Sequence, residues 1–263
     1  MNTATAEKQN KIMYISQAEN FSKIPGSPVA YWISRKWLAV FEEKTMADYG
    51  DSCIGMRTGD NERFLRFWFE VGKDKFGIEY KTAEAACKSS KKWFPYCKGG
   101  SFRKWYGNND YVVNWENDGL EIKENTRRVY PQLGDNLSWK ISNEQYYFKK
   151  GLTWSGVGAK IFGVRSYPDG MIFDSGANSY FVYDTHDYNY FAGLLNCNII
   201  NDAIKIVKPT INTGCGVVAQ LPAKKNLAET GRIDSRVESN IKLSKSDWDS
   251  FETSWDFKKH PLI

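Results

Sequence analysis

Histidine is nearly absent and cysteine never occurs in pairs. His186 and His260 are the two histidines in 263 residues, and the five cysteines (Cys53, Cys87, Cys97, Cys197 and Cys215) are odd in number and widely spaced, with no CxxC pair. That pattern excludes a disulfide framework and a zinc site, and it leaves neither histidine with an obvious nucleophile to activate. The thiols read as reduced and mostly buried. No apolar run approaches the ~18 residues of a spanning helix, and the polar residues 1–20 lack an apolar signal core. The expectation is a soluble, cytoplasmic protein that does not contact a membrane. No constellation qualifies as catalytic or metal-binding: the Ser155-Gly156-Val157-Gly158 run is a bare pair of glycines, and the Tyr183-to-Asp187 cluster is explained by a loop ahead of a helix.

Aromatic residues, by contrast, are plentiful. They make up 15% of the chain, with ten Trp and fifteen each of Tyr and Phe, and the net charge is +5. Rings fill cores, and on a basic surface they stack on bases, so position must separate the two uses. Residues 1–27 read as a flexible segment or linker. Ser27-Pro28 has the form of an N-cap and first helical position, with Val29, Trp32, Ile33, Leu38 and Phe41 giving an imperfect helical stripe over residues 28–43. Residues 46–183 alternate short apolar runs with Gly, Asn, Asp and Pro, a β-rich pattern; strands are expected at 63–71, 111–115, 151–155, 161–167, 171–174 and 180–183. From 188 to 207, Phe191, Leu194, Leu195, Ile199, Ile200, Ile204 and Val207 recur at spacings of three and four, predicting one long helix. Residues 232–245 carry a weaker amphipathic pattern before an aromatic, acidic end. The fold class expected is α+β: a mainly antiparallel, β-rich domain over residues 28–222 flanked by helices, with a long helix after the sheet region and a partly helical segment at 223–263 that reads as truncated.

Residues 87–109 (CKSSKKWFPYCKGGSFRKWYGNN) hold six cations and no acidic residue. Lys91, Lys92, Lys98, Arg103 and Lys104 are candidate phosphate contacts, and Trp93, Tyr96, Trp105 and Tyr106 are candidate stacking rings, because phosphates need positioned cations and bases need flat partners. An ordinary lysine-bearing hairpin with its rings in the core fits the same composition. Asn108 and Asn109 end the window as candidates for base edges. In residues 55–66 (GMRTGDNERFLR), Arg57, Asn61 and Arg63 are further base-edge candidates, since Arg and Asn match guanine and adenine edges bidentately; a structural loop is the alternative. Lys160, beside the 155–158 glycines, is another possible phosphate contact.

Four stretches together, residues 55–66, 92–119, 152–181 and 244–257, resemble the C-terminal half of the PglX family, the adenine-specific DNA methyltransferases of BREX phage-defence systems. The likeness is ordered and runs from about residue 28 to 262. It implies a target-recognition domain similar to those of type I and type IIL restriction-modification specificity proteins, with double-stranded DNA as partner and a short asymmetric site as target, so that a catalytic half can flip and methylate one adenine. The family's cofactor loop and its Asn-Pro-Pro-Tyr loop are not matched here; Phe94-Pro95-Tyr96 lacks the first polar residue and the second proline. S-adenosylmethionine is therefore expected only in a half that this chain lacks, as in a split gene, a truncated relative or a cut protein. Two other readings compete. One is an active methyltransferase; the other is a protein-interaction or regulatory piece docking on a full-length methyltransferase domain or another BREX protein.

Overall fold

The structure is a computed structural model and describes residues 17, 19–156, 161–208, 210, 212–225, 230–260 and 262–263. Its elements are, in chain order, α1 (Glu19–Ser22), α2 (Arg35–Phe41), β1 (Gly50–Cys53), α3 (Asn61–Phe64), β2 (Leu65–Phe67), α4 (Ala83–Cys87), β3 (Trp93–Cys97), β4 (Tyr111–Asn114) and α5 (Glu116–Val129). They continue with β5 (Gly151–Ser155), β6 (Arg165–Tyr167), β7 (Ile172–Phe173), β8 (Ala177–Val182), α6 (Tyr188–Asn196), α7 (Asn198–Val207), α8 (Cys215–Ala219) and α9 (Thr230–Trp248).

The strands form two four-stranded sheets. The first has the order β1-β8-β5-β6 and is antiparallel throughout; the second has the order β2-β4-β3-β7 and is antiparallel except for β3 beside β7. The α+β class with its mainly antiparallel sheets is as the sequence indicates.

The first sheet is covered on both faces. Leu152, Trp154 and Tyr180 project into one core with Leu38 and Phe41 of α2, Phe191 and Leu195 of α6, Ile200 and Ile204 of α7, and Val237 of α9. On its opposite face Cys53, Tyr167, Ala177 and Phe181 join a second core with Cys97 and Phe173 of the second sheet, a core that also takes in Phe94, Tyr96 and Ile172 from that sheet's alternate positions. The result is three layers, helices on sheet on sheet. Being in the middle layer explains why β8, ANSYFV, is buried at nearly every position rather than at every other one.

Several elements differ in extent from their sequence patterns. Helix α2 begins at Arg35, not at 28: Ser34 supplies the cap by accepting the Trp37 N–H, while Ser27 sits at a left-handed φ of +47°. Residues 61–64 are a helical turn capped by Asp60, and the strand after them lasts three residues. The helix expected over 188–207 is two helices, broken at the extended Cys197 (φ −79°, ψ 157°). The break has a cause. The Asn196 side chain accepts the Val164 N–H at 2.9 Å and donates to the Val164 and Ala192 carbonyls at 3.1 Å each, and Asn201 likewise accepts from Phe162 N at 2.7 Å and donates to its carbonyl at 3.2 Å. The two amides thereby serve backbone groups just ahead of the edge strand β6 that no strand pairs.

Strands β1 and β3 and helix α5 were not anticipated by the pattern. Helix α5 opens through three consecutive left-handed residues, Asn117, Asp118 and Gly119. Asn and Asp tolerate that conformation, and at Gly119 a Cβ would stand 2.6 Å from the Trp115 ring, so glycine is required there.

Candidate nucleic-acid interface

The cations of residues 87–109 are mostly engaged inside the protein. Lys91 Nζ donates to the Asp74 carbonyl at 3.0 Å and lies 3.6 Å from Glu79. Lys92 bridges Glu121 at 2.8 Å and Glu116 at 3.5 Å, tying the start of β3 to α5. The Glu121 hydrogen bond holds the Lys92 ammonium above its usual range and draws the Glu121 carboxyl below its own. Lys104 Nζ donates to the Asn196 carbonyl at 2.7 Å, a cation on the C-terminal end of α6. Arg103 lies 3.5 Å from Asp247 and 4.9 Å over the Trp248 ring of α9. Lys98 is half-buried 4.6 Å over the Tyr111 ring. Lys160 lies outside the described residues.

The rings and amides of this window are largely internal too. Tyr96 is fully buried and donates to Asp174 at 2.9 Å; Tyr106 is buried under Lys245. Trp105 is half-buried with φ +71°, packed on the helix-side core, and Trp93 lies beneath Arg66. Asn108 and Asn109 are 8% and 2% exposed, Asn108 donating to the Ser101 carbonyl, so neither presents its edge to solvent in this conformation.

A different group of cations does gather at the surface. Arg57 donates to the Trp139 carbonyl at 2.8 Å and lies 5.9 Å over the Trp139 ring, and its own N–H binds the Lys140 carbonyl. Lys140 Nζ stands 4.0 Å over Tyr130 and 4.6 Å over Trp139. Arg63 reaches Asn125 at 3.5 Å from one side, and Arg128 reaches the same amide at 2.7 Å from the other. Thr58 donates to Asn61 at 2.5 Å, closing the loop between Arg57 and Arg63.

Hydrogen bonds and ring contacts thus hold four cations in two pairs, Arg57 with Lys140 at an indole that is 57% exposed and Arg63 with Arg128 at Asn125, joined by the short loop from Arg57 to Arg63. Of these cations, only Arg63 has a carboxylate within ion-pair distance among the described residues, Glu121 at 3.7 Å. Such a surface can bind phosphates through its guanidinium groups and receive a base or sugar on Trp139. Arg57, Asn61 and Arg63 were legible as candidates. Arg128, Tyr130, Trp139 and Lys140 were missed, although residues 127–140 (RRVYPQLGDNLSWK) have the same mixture of bases and rings as residues 87–109.

Among the described residues no group of three or more His, Cys, Asp or Glu is placed to hold a metal ion, and no helix is long and apolar enough to cross a membrane.

By fold, then, the chain is an α+β protein of two mainly antiparallel sheets backed by helices, with a basic, aromatic patch on the second sheet's periphery. Its relatives narrow this class. The chain is 34% identical over 263 residues, 99% of its length, to the adenine-specific methyltransferase PglX of Lacticaseibacillus casei (strain Zhang), and 35% identical over 249 residues, 93% of its length, to the adenine-specific methyltransferase BrxX of Escherichia coli O9:H4 (strain HS). It covers 21% and 18% of those proteins, so it spans about a fifth of the length of the curated relatives it matches and is related to that part of them. No family model matches.

Proposed function

We propose that this chain is the sequence-specific DNA-recognition part of a BREX-type site-specific adenine methyltransferase. Methyl transfer and S-adenosylmethionine binding belong, in this reading, to the part of the relatives that the chain does not cover. The observation that carries it is the end-to-end match to a minor portion of two adenine-specific methyltransferases. An enzyme that modifies one adenine within a site must separate reading from chemistry, because the flipped base leaves the duplex while the surrounding sequence is read in place.

The Arg57-Arg63-Arg128-Lys140 patch is where the duplex docks. Its cations take backbone phosphates, and Arg57, Asn61 and Arg63, on one short loop and helical turn, face base edges. The buried Asn108 and Asn109 have no such part in the proposal, and Lys91, Lys92 and Lys104 act as internal fasteners.

Each phosphate neutralised on duplex DNA contributes about 0.9 to the slope of log affinity against log salt. Exchange of Arg57, Arg128 and Lys140 together for glutamine is therefore expected to reduce that slope by roughly 2 to 3, measured by fluorescence anisotropy on a mixed-sequence duplex, with the fold intact by circular dichroism. An unchanged slope defeats the assignment of the patch; no measurable duplex binding by the unaltered chain, alone or joined to a methyltransferase half, defeats the reading itself.

A further inference from the structure

Arg165, at the start of β6, is 1% exposed, and its Nε and Nη2 atoms are buried with no hydrogen-bond partner. A guanidinium does not lose its proton in a protein, so this charge remains. Leaving it uncompensated is costly by the general rule for buried ions. Among the described residues no carboxylate lies within 4.0 Å of it. Its close neighbour is the Cys97 sulfur, whose thiol is pushed up by burial and is a weak acceptor. Asp110 is within electrostatic range but not in ion-pair contact, and its own carboxyl is pushed up by burial.

A second guanidinium is held beside the first. Trp105, in its left-handed conformation, donates to the Val164 carbonyl and accepts from the Ser166 N–H, both at 2.8 Å, latching the segment that carries Arg103 onto β6 on either side of Arg165. Arg103 and Arg165 are walls of one cavity of about 20 Å³, together with Phe102, Ser155, Phe162 and Gly163. Phe102 and Ile161, also lining it, are 47% and 54% exposed, so the rim reaches the surface. A space of that size admits about one oxygen atom, the volume needed for a single water-sized occupant. Two like charges line this small hole, and although Arg103 also lies 3.5 Å from Asp247, the buried Arg165 donors lack acceptors, the reverse of what a purely structural arginine requires.

We infer that the Arg103-Arg165 cavity is a phosphate-binding pocket, in which one oxygen of a phosphate group enters and accepts from the Arg165 guanidinium while Arg103 holds the remaining oxygens at the rim. Charge-assisted, bidentate contacts of this kind are the strong ones. The phosphate is either a DNA phosphodiester, in which case the inference builds on the DNA-recognition reading, or a free inorganic phosphate, in which case it stands without it.

The test follows the arginine Nε–H resonances of the ¹⁵N-labelled full chain by NMR, with Arg165 assigned by Arg165→Lys. Inorganic phosphate and a short duplex are titrated separately, with chloride at matched ionic strength as control. A saturable shift of the Arg165 resonance with phosphate and with duplex, or with duplex alone, supports a phosphodiester seat. A shift with inorganic phosphate alone supports the free-anion form.

No shift with either, or an equal shift with chloride, overturns the inference. In Arg165→Lys, followed through the remaining Arg103 Nε–H resonance, phosphate binding is expected to weaken about tenfold, the loss of one charge-assisted hydrogen bond. If that variant does not fold, Arg103→Gln at the half-exposed rim replaces it, with an expected loss of several-fold. Retention of the phosphate shift in the Arg57, Arg128 and Lys140 triple variant, after its duplex affinity has fallen, separates failure of the docking patch from failure of this pocket.

Discussion

At the scale of the residue, burial decides which chemistry a side chain keeps. The five cysteines are alike in sequence, yet Cys53 and Cys97 are buried and Cys87 is exposed on the end of α4. Burial, reinforced by Asp51, pushes the Cys53 thiol up to about 12, and burial pushes Cys215 up to about 11, each from an ordinary 9.0. A thiol raised on folding stays neutral in the native state while the unfolded chain ionises. Its contribution to stability is thus full below pH 9 and is lost as pH rises from 9 toward 11 or 12. The expected outcome is a fall in the urea midpoint over that interval, and Cys53→Ala should flatten it. The same burial predicts that iodoacetamide at neutral pH labels Cys87 first, with Cys53 and Cys97 protected until the chain unfolds; mass spectrometry of digested samples checks the order.

The basic residues teach the same lesson in a different form. A run of lysines without acids, as in residues 87–109, looks free of partners only along the chain, because Lys92 finds Glu121 twenty-nine residues away and Lys104 finds a helix carbonyl ninety-two residues away. Charge complementarity over such separations is invisible to local composition. Residues 127–140 have a similar composition, but only folding brings Arg128, at the end of the helix α5 that the turn-rich pattern concealed, together with Trp139 and Lys140 in the turns after it. Arg57, Asn61 and Arg63 were legible because one short loop and the helical turn after it hold all three, so their nearness in sequence survives folding.

Among the elements, those stabilised by local signals were readable and those stabilised by distant ones were not. Strand β5 falls on residues 151–155 as expected, since Leu152 and Trp154 alternate toward the helix layer. Strand β3, WFPYC, has no alternation because both its faces are covered, and β1 consists of Gly-Asp-Ser-Cys, with nothing apolar before its last residue. The 188–207 pattern predicts the right helical faces but not the break, because the break is caused by Asn196 turning its amide to Val164.

That amide gives a sharp prediction. Asn196 is 5% exposed and uses both a donor and an acceptor on the Val164 backbone. Asn196→Asp at neutral pH places a carboxylate against two carbonyl oxygens in a buried site, so a destabilisation of about 3 kcal/mol or more is expected in urea unfolding. The new carboxyl's folded pKa would be raised, so stability should recover as pH falls toward and below about 4, where its protonated form can again donate. A loss that does not depend on pH would mean that the damage is steric and that the hydrogen bonds are not the cause.

The whole molecule is held together by sharing the first sheet between two cores. Side chains of β8 enter both, Tyr180 on the helix side and Phe181 on the sheet side, so neither core can open without disturbing the strand common to them. Helix α9, although it follows every strand in sequence, is part of this unit. Val237 is 3% exposed in the helix-side core, and a Cβ on Gly193 of α6 would lie 3.0 Å from its methyl group, so α6 and α9 meet at close range. At the far end of α9, Trp248 is 7% exposed and lies against Arg103, while a Cβ on Gly107 would stand 3.0 Å from its ring. Removing that indole should cost about 3 to 5 kcal/mol, the usual range for a buried Trp→Ala exchange, reduced toward the lower end because the Arg103 side of the site can collapse. The cost should fall on the molecule as one body: in Trp248→Ala, unfolding followed by far-ultraviolet circular dichroism and by fluorescence of the nine remaining tryptophans should shift together to lower denaturant with an unchanged slope. Separation of the two curves would show that α9 and its neighbours unfold apart from the sheets, and the shared strand would then not be what unites the layers.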